Sequence, residues 1–410
     1  MTEAEWCERL RQELAEATKL RLIADVPLGA FLSGGMDSSI TVGLMSQAAR
    51  EPVKTFSIGF EEKRYDELDY ARLVAKRFQT DHREFIVRPD IADILPKLVW
   101  HYDEPFADSS AIPTYYLSKV TREHVKVALT GDAGDECFAG YPRYRAVKLA
   151  GQVDKLPRFV RRVFTPGLWG KLPASLEHRS FRRQLKRVAE SLSLPPRQRY
   201  LEWVCIFNDT RKLWLYSDDM LAEFAQKPSL RFLDEHYNRW VEATRREQAR
   251  RPDQDFLGQT TYVDLMTYLP NDILVKVDIA SMAHALETRS PFLDYKVVEL
   301  AAAMPTRLKM RGLSAKHILK KAFADLLPRE ILRRGKMGFG APIAEWFRRE
   351  LSDPVRDVLL SPTSLQRGYF RVEAVRQLLD DHIQGRADHG YRLWALFMLE
   401  LWHRKFLDER

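Results

Sequence analysis

The chain has only three cysteines, Cys7, Cys137 and Cys205, in 410 residues. They are too few and too scattered for a disulfide framework or a zinc cluster, and buried or idle thiols are expected. No apolar run approaches the roughly 18 residues of a membrane span. The opening Thr2-Glu3-Ala4-Glu5 is acidic and polar, unlike a secretory signal. A cytoplasmic protein with no membrane partner is therefore expected. Internal repeats and low-complexity segments are missing as well, and so are the two commonest nucleotide fingerprints, G-x-x-x-x-G-K-[ST] and G-x-G-x-x-G. What is present is an ordinary globular composition, 45% hydrophobic and 30% charged, with enough length for two or three compact units.

Hydrophobic patterning gives the order of elements. Residues 2 to about 22 read as an amphipathic helix, with Thr2 and Glu5 at capping-box spacing and Trp6, Leu10, Leu14 and Ala17 at helical intervals. Apolar strands follow at Leu28 to Leu32, Val53 to Gly59, Arg83 to Val87 and Val125 to Leu129, separated by helical stretches. Strands alternating with helices predict an α/β fold, a parallel sheet with helices on both faces. Beyond about residue 150, prolines punctuate mainly helical sequence. The expected division is an N-terminal helix at 1–24, an α/β core at 25–150 and a mainly helical region at 151–410. The final helix, around Tyr391 to Phe406, reads as core packing through Leu393, Leu396, Phe397, Leu401 and Trp402.

The stretch Ser33-Gly34-Gly35-Met36-Asp37-Ser38-Ser39 joins the first strand to a helix. Glycine-turn amides and a helix N-terminus there attract phosphate, and three serines add hydroxyl donors. Asp37 would repel a polyphosphate unless a divalent cation lay between them, so the turn suggests a magnesium nucleotide. In open parallel sheets, ligands gather at the carboxyl ends of strands. The fourth strand ends in Thr130-Gly131-Asp132-Ala133-Gly134-Asp135-Glu136, an acidic turn that offers a second carboxylate to one magnesium ion.

The net charge is +8, and basic residues crowd the run from Lys155 through Arg158, Arg161, Arg162, Lys171, Arg179, Arg182, Arg183, Lys186, Arg187 and Arg197 to Arg199. A nucleic-acid or acidic partner would use such a run. Without interleaved stacking aromatics a solvated helical face is the simpler account, and no nucleic-acid partner is expected.

The string S-G-G-M-D-S-S after an apolar strand resembles the pyrophosphate loop of ATP pyrophosphatases. Further segments narrow this: Tyr268-Leu269-Pro270-Asn271-Asp272-Ile273-Leu274-Val275-Lys276-Val277-Asp278, Leu286 to Asp294, and Arg334-Gly335-Lys336-Met337-Gly338-Phe339-Gly340. With the two strand-end turns, these resemble the synthetase domain of asparagine synthetase over about residues 8 to 405, on an adenine-nucleotide α-hydrolase-like fold. The resemblance implies a ligase that uses ATP and Mg2+ to adenylate the side-chain carboxylate of aspartate, then transfers ammonia to give asparagine, AMP and pyrophosphate. It implies adenosine contacts at Leu32, Ile58, Thr130 and Gly131, pyrophosphate contacts at Ser33, Gly34, Gly35, Ser38 and Ser39, and magnesium at Asp37 and Asp135. By the same resemblance Asp132 takes a proton from ammonia, and Lys336 meets the pyrophosphate. Glu136, Asp272, Lys276, Glu287 and Arg289 would shape or brace the substrate pocket, with Asp103-Glu104-Pro105 and Asp108-Ser109-Ser110 in the stretch where the family shapes recognition.

Some features depart from the family pattern. Ala133 stands where glycine is common, and Ile279 and Ser290 are unusual. The helix that opens the synthetase part begins at Thr2, without the family's preceding glutaminase domain. Free ammonia, a partner glutaminase or a fragment of a longer protein all fit this. Relatives that amidate another carboxylate, closing lactams or modifying sugars or peptides, remain an alternative. So does a tRNA-modifying enzyme of the same superfamily, although the thiolating kind needs cysteines placed as these are not. A non-catalytic interaction protein conflicts with the joint survival of Asp37, Asp135 and Lys336. The oligomeric state is left open, a homodimer included.

Overall fold

In the computed structural model, which describes residues 1–60, 67–87, 90–157, 191–245 and 255–409, the chain opens with helix α1 (Glu3–Arg21). Its capping box is formed: the Glu5 amide donates to Thr2 Oγ1 at 3.3 Å, and the Thr2 amide donates to Glu5 Oε2 at 2.6 Å. Trp6, Leu10, Leu14 and Ala17 make its buried stripe.

The strands β1 (Leu28–Phe31), β2 (Lys54–Phe60), β3 (Asp81–Val87) and β4 (Val127–Leu129) are joined by β5 (Glu287–Arg289), which the periodicity did not reveal. All pairs are parallel, in the order β3-β2-β1-β4-β5. Winding runs outward from β1 in both directions, so β1 and β4 flank the switch point, where their carboxyl ends leave a crevice. Side chains alternate as the pleat requires. Val127 and Leu129 join a core with α1, α2 (Met36–Ala48) and α3 (Leu68–Phe78), whereas Phe56, Ile58 and Ala128 join a second with Leu117 of α4 (Ala111–Arg122). The fold is thus α/β with a five-stranded parallel sheet, followed by a largely helical C-terminal region.

The chain divides into two compact units. The first comprises Met1–Ile94, Ser110–Arg145 and Glu242–Ala341, and contains the whole sheet. The second comprises Leu95–Ser109, Ala146–Val241 and Pro342–Arg410. In it, the helix Gly390–His403 buries Leu393, Trp394, Leu396 and Phe397, with Phe397 edge-on to Phe347 at 5.8 Å between ring centroids. From Arg158 to Arg187, the basic run lies outside the described residues. Of the rest, Arg197 pairs with Asp234 at 2.9 Å and Arg199 with Asp154 at 2.8 Å. The Arg199 side chain is only 4% exposed, so that cation is structural. Among the described residues, no helix is long and apolar enough to cross a membrane.

Candidate functional site

Every residue of the candidate site belongs to the first unit. The β1 chain ends at Leu32, whose amide donates to the Phe56 carbonyl at 2.9 Å while its own carbonyl accepts from the Ser57 hydroxyl. The turn that follows is wired through its serines. Gly35 N–H donates to Ser33 Oγ at 3.2 Å, Ser33 and Ser38 hydroxyls lie 3.1 Å apart, and Ser39 Oγ donates to the Gly35 carbonyl at 2.6 Å. Gly35 caps α2 without a side-chain hydrogen bond, so the first amides of a 13-residue helix have no side-chain acceptor. Orphan N–H groups and the helix dipole make such a terminus suited to an anion.

The turn after β4 packs directly on this terminus. A Cβ at Gly134 would lie 2.5 Å from Asp37 Cγ, so only glycine permits the approach. Ala133 before it takes φ 71° and ψ −9°, and is buried. This is the left-handed region, which explains why glycine suits the position. The turn is pinned to β5: Thr130 N–H donates to the Arg289 carbonyl at 2.8 Å, and Ser290 Oγ to the Asp132 carbonyl at 2.7 Å. The half-exposed Asp132 carboxylate makes no hydrogen bond or ion pair among the described residues.

The carboxylates of Asp37 and Asp135, both buried, meet at Lys316. Lys316 pairs with Asp37 and lies 2.5 Å from Asp135 Oδ1, while Lys336 lies 2.6 Å from Asp135 Oδ2. Burial disfavours both anions, but Lys316 and Lys336 outweigh it at Asp135 and hold that carboxyl well below the usual range. At Asp37 burial prevails over Lys316, Asp135 repels it, and its pKa rises. Asp37 Oδ1 is buried without a hydrogen-bond partner. Two converging carboxylates with an orphaned oxygen beside an anion-binding terminus fit a magnesium ion that completes its shell with phosphate oxygens and water.

Beyond Asp135, Glu136 is buried and accepts from Tyr141 Oη at 2.5 Å. Burial, then the Asp135 charge, pushes its carboxyl up to about 7. Arg143 stacks on Tyr141 and Tyr268, 4.1 Å and 4.5 Å from the ring centroids, and pairs with buried Asp264 at 2.8 Å.

The sequence-predicted residues are thus placed unequally. Ser33, Gly34, Gly35, Asp37, Ser38, Ser39, Thr130, Gly131, Asp132, Asp135 and Glu136 lie on the two facing turns, and Lys336 reaches them from a third segment. Leu32 and Ile58 are core residues, 1% and 6% exposed. Asp272 sits on a π-helical turn (Leu269–Ile273), and Lys276 is buried on the helix Leu274–Met282 that follows. Glu287 and Arg289 pair with each other at 2.5 Å on β5, and Arg289 also donates to the carbonyls of Arg21 and Ile23, which braces the end of α1. Lys316 received no role from sequence. It is hidden among Lys309, Lys320 and Lys321, and its φ of 53° just before the helix His317–Ala322 carries no composition signal.

The chain is similar to known proteins along nearly its whole length. The family model described as asparagine synthase matches residues 9–404. The chain is 30% identical over 404 residues to glutamine-hydrolysing asparagine synthetase 1 of Bacillus subtilis, covering 98% of this chain and 60% of that one. It is 32% identical over 401 residues to a putative glutamine-hydrolysing asparagine synthetase of Mycobacterium tuberculosis, covering 96% and 57%. A more distant relative, amidase chry2 of Gibberella zeae, is 24% identical over 421 residues, covering 92% and 59%. The chain spans about 60% of the length of these relatives.

Proposed function

This chain belongs to the asparagine synthase family, and on that premise we propose that it is an ATP-dependent amide ligase that converts aspartate to asparagine. The observation that supports this best is the meeting of Asp37 and Asp135, from two different strand ends, beside the uncapped terminus of α2 and two lysines. That arrangement suits a leaving pyrophosphate better than a simple anion, because it provides cations, amides and a metal-binding pair at one place.

The chemistry assigns work to each group. The α2 terminus and the hydroxyls of Ser33, Ser38 and Ser39 hold the β- and γ-phosphates. Asp37 and Asp135 would hold magnesium, which neutralises polyphosphate charge. A carboxylate oxygen of the substrate attacks the α-phosphorus, the bond to the bridging oxygen breaks, and pyrophosphate leaves with its new charge facing Lys336 and Lys316. Ammonia then attacks the acyl carbon of the adenylate, the carbon–oxygen bond breaks, and AMP leaves. Asp132, whose carboxylate is uncommitted, accepts the proton that the nitrogen sheds.

A second reading keeps the adenylation and changes the carboxylate. It is favoured by the relatives named amidases, of which chry2 covers 92% of the chain. Mass spectrometry of reactions holding MgATP, aspartate and either ammonium or glutamine tests both readings. Asparagine with equal amounts of AMP and pyrophosphate is expected, and the nitrogen donor that works identifies the source. Pyrophosphate released only with other carboxylates would select the second reading. A folded protein that releases none with any carboxylate refutes both.

A further inference from the structure

The segment that carries Lys336 is tied to the phosphate-binding turn by a residue with no assigned role. Arg334 follows the short helix Arg329–Arg333. Its Nη1 donates to the Ser33 carbonyl at 3.0 Å, its Nη2 donates to Glu67, and its Cζ stands 4.1 Å from the Tyr70 ring centroid. The Arg334 and Glu67 side chains are 8% and 12% exposed, so this is a buried charge pair rather than a surface contact. Tyr70 also meets the turn itself. Gly34 has φ +64°, and a Cβ there would lie 2.5 Å from the Tyr70 carbonyl carbon.

A trans peptide sets its C=O and the following N–H in opposite directions. Holding the Ser33 carbonyl on Arg334 therefore aims the Gly34 N–H away from Arg334. Two residues further along, Lys336 reaches Asp135. We propose that Arg334 is a positioning residue that locks the Ser33–Ser39 turn and the Lys336 segment into one polyphosphate-binding unit, so that the turn amides and the lysine are set together. This rests on the reading of the site as one that releases pyrophosphate. The fork geometry matters. One guanidinium serves a carbonyl, a carboxylate and a ring face at once, which an ammonium does not do.

The test is a double-mutant cycle on the affinity for inorganic pyrophosphate with magnesium, measured by calorimetry on the full chain. R334M and K336M should each weaken binding about tenfold, and the double variant should lie within about twofold of the weaker single, because one loss already contains the other. R334K should stay near R334M. E67Q, which leaves the Arg334 fork in place but removes its counter-ion, should weaken binding in the same direction and carries the test if R334M does not fold. Losses that multiply in the double variant, full affinity in R334K, or a wild-type chain that does not bind pyrophosphate would each overturn the proposal. A coupled cycle in a chain that makes no amide product refutes the ligase reading alone and leaves the assignment of Arg334 standing.

Discussion

The Lys316 ammonium donates to the Asp37 carboxylate across 279 residues of sequence, and both side chains are nearly buried. The same ammonium lies 2.5 Å from Asp135. Two carboxylates that would repel each other in a low-dielectric setting are thus held by one internal cation. Lys316 stands where the pair would hold the magnesium ion proposed above, so on that proposal the lysine and the metal would compete for the same oxygens.

Replacing Lys316 with methionine should destabilise the protein by roughly 3–5 kcal/mol without magnesium, the usual consequence of leaving buried charge unpaired. On the proposed metal site, magnesium should restore much of that loss, because a ligand of the folded pair alone stabilises the folded state. Thermal melts of K316M and wild type, with chelator and with magnesium, check this. Equal magnesium effects in both proteins would show that the carboxylates do not share the metal.

At Ala133, the backbone demands a conformation that a side chain resists. With φ 71° in a buried turn, Ala133→Gly should stabilise the fold by about 1 kcal/mol, because the left-handed strain exceeds glycine's entropy disadvantage. Urea unfolding of A133G against wild type measures it. A less stable A133G would mean that the alanine methyl contributes more by packing than its backbone strain costs.

Much of this was legible in the sequence because the periods are strong. The alternation of apolar strands with helices predicted the parallel sheet, and the small residues at two strand ends predicted the crevice. The strand β5 was not legible. Glu287-Thr288-Arg289 has no apolar alternation, and it is a strand because its backbone completes the edge beside β4, which is a tertiary effect. Lys316 and Arg334 escaped for a related reason. Their partners lie 279 and 301 residues away, and no local pattern announces a cation that answers a distant carboxylate or carbonyl.

Lys336 should act mainly on the transition state. Its side chain is about one-third exposed in the free protein; burial works against the charge, but Asp135, Asp37 and Glu136 outweigh it and raise the pKa, so it stays charged across the working range. In the proposed adenylation, charge builds on pyrophosphate as the bond breaks. K336M should therefore lower kcat at least about a hundredfold, with a smaller change in KM for ATP. Steady-state pyrophosphate release gives both constants. A loss confined to KM would reassign Lys336 to ground-state binding.

Lys309 gives the clearest pH signature away from the site. It closes a short helix (Thr306–Lys309) with only 4% exposure, and burial pushes its pKa down to about 8, against weaker support from Cys137 and Asp255. The unfolded chain keeps that lysine protonated to an ordinary value of 10.5. Between those two values the unfolded state binds more protons, so stability rises with pH there by up to about 3 kcal/mol, whereas below pH 8 the full penalty of the buried charge applies. Lys309→Met removes the charge and keeps most of the volume. K309M should be more stable than wild type at pH 7, and the gap should close as pH climbs from 8 toward 10.5. Urea unfolding midpoints across that range decide it: a gap that does not change with pH would show that Lys309 keeps its proton in the fold, with its ammonium solvated or paired.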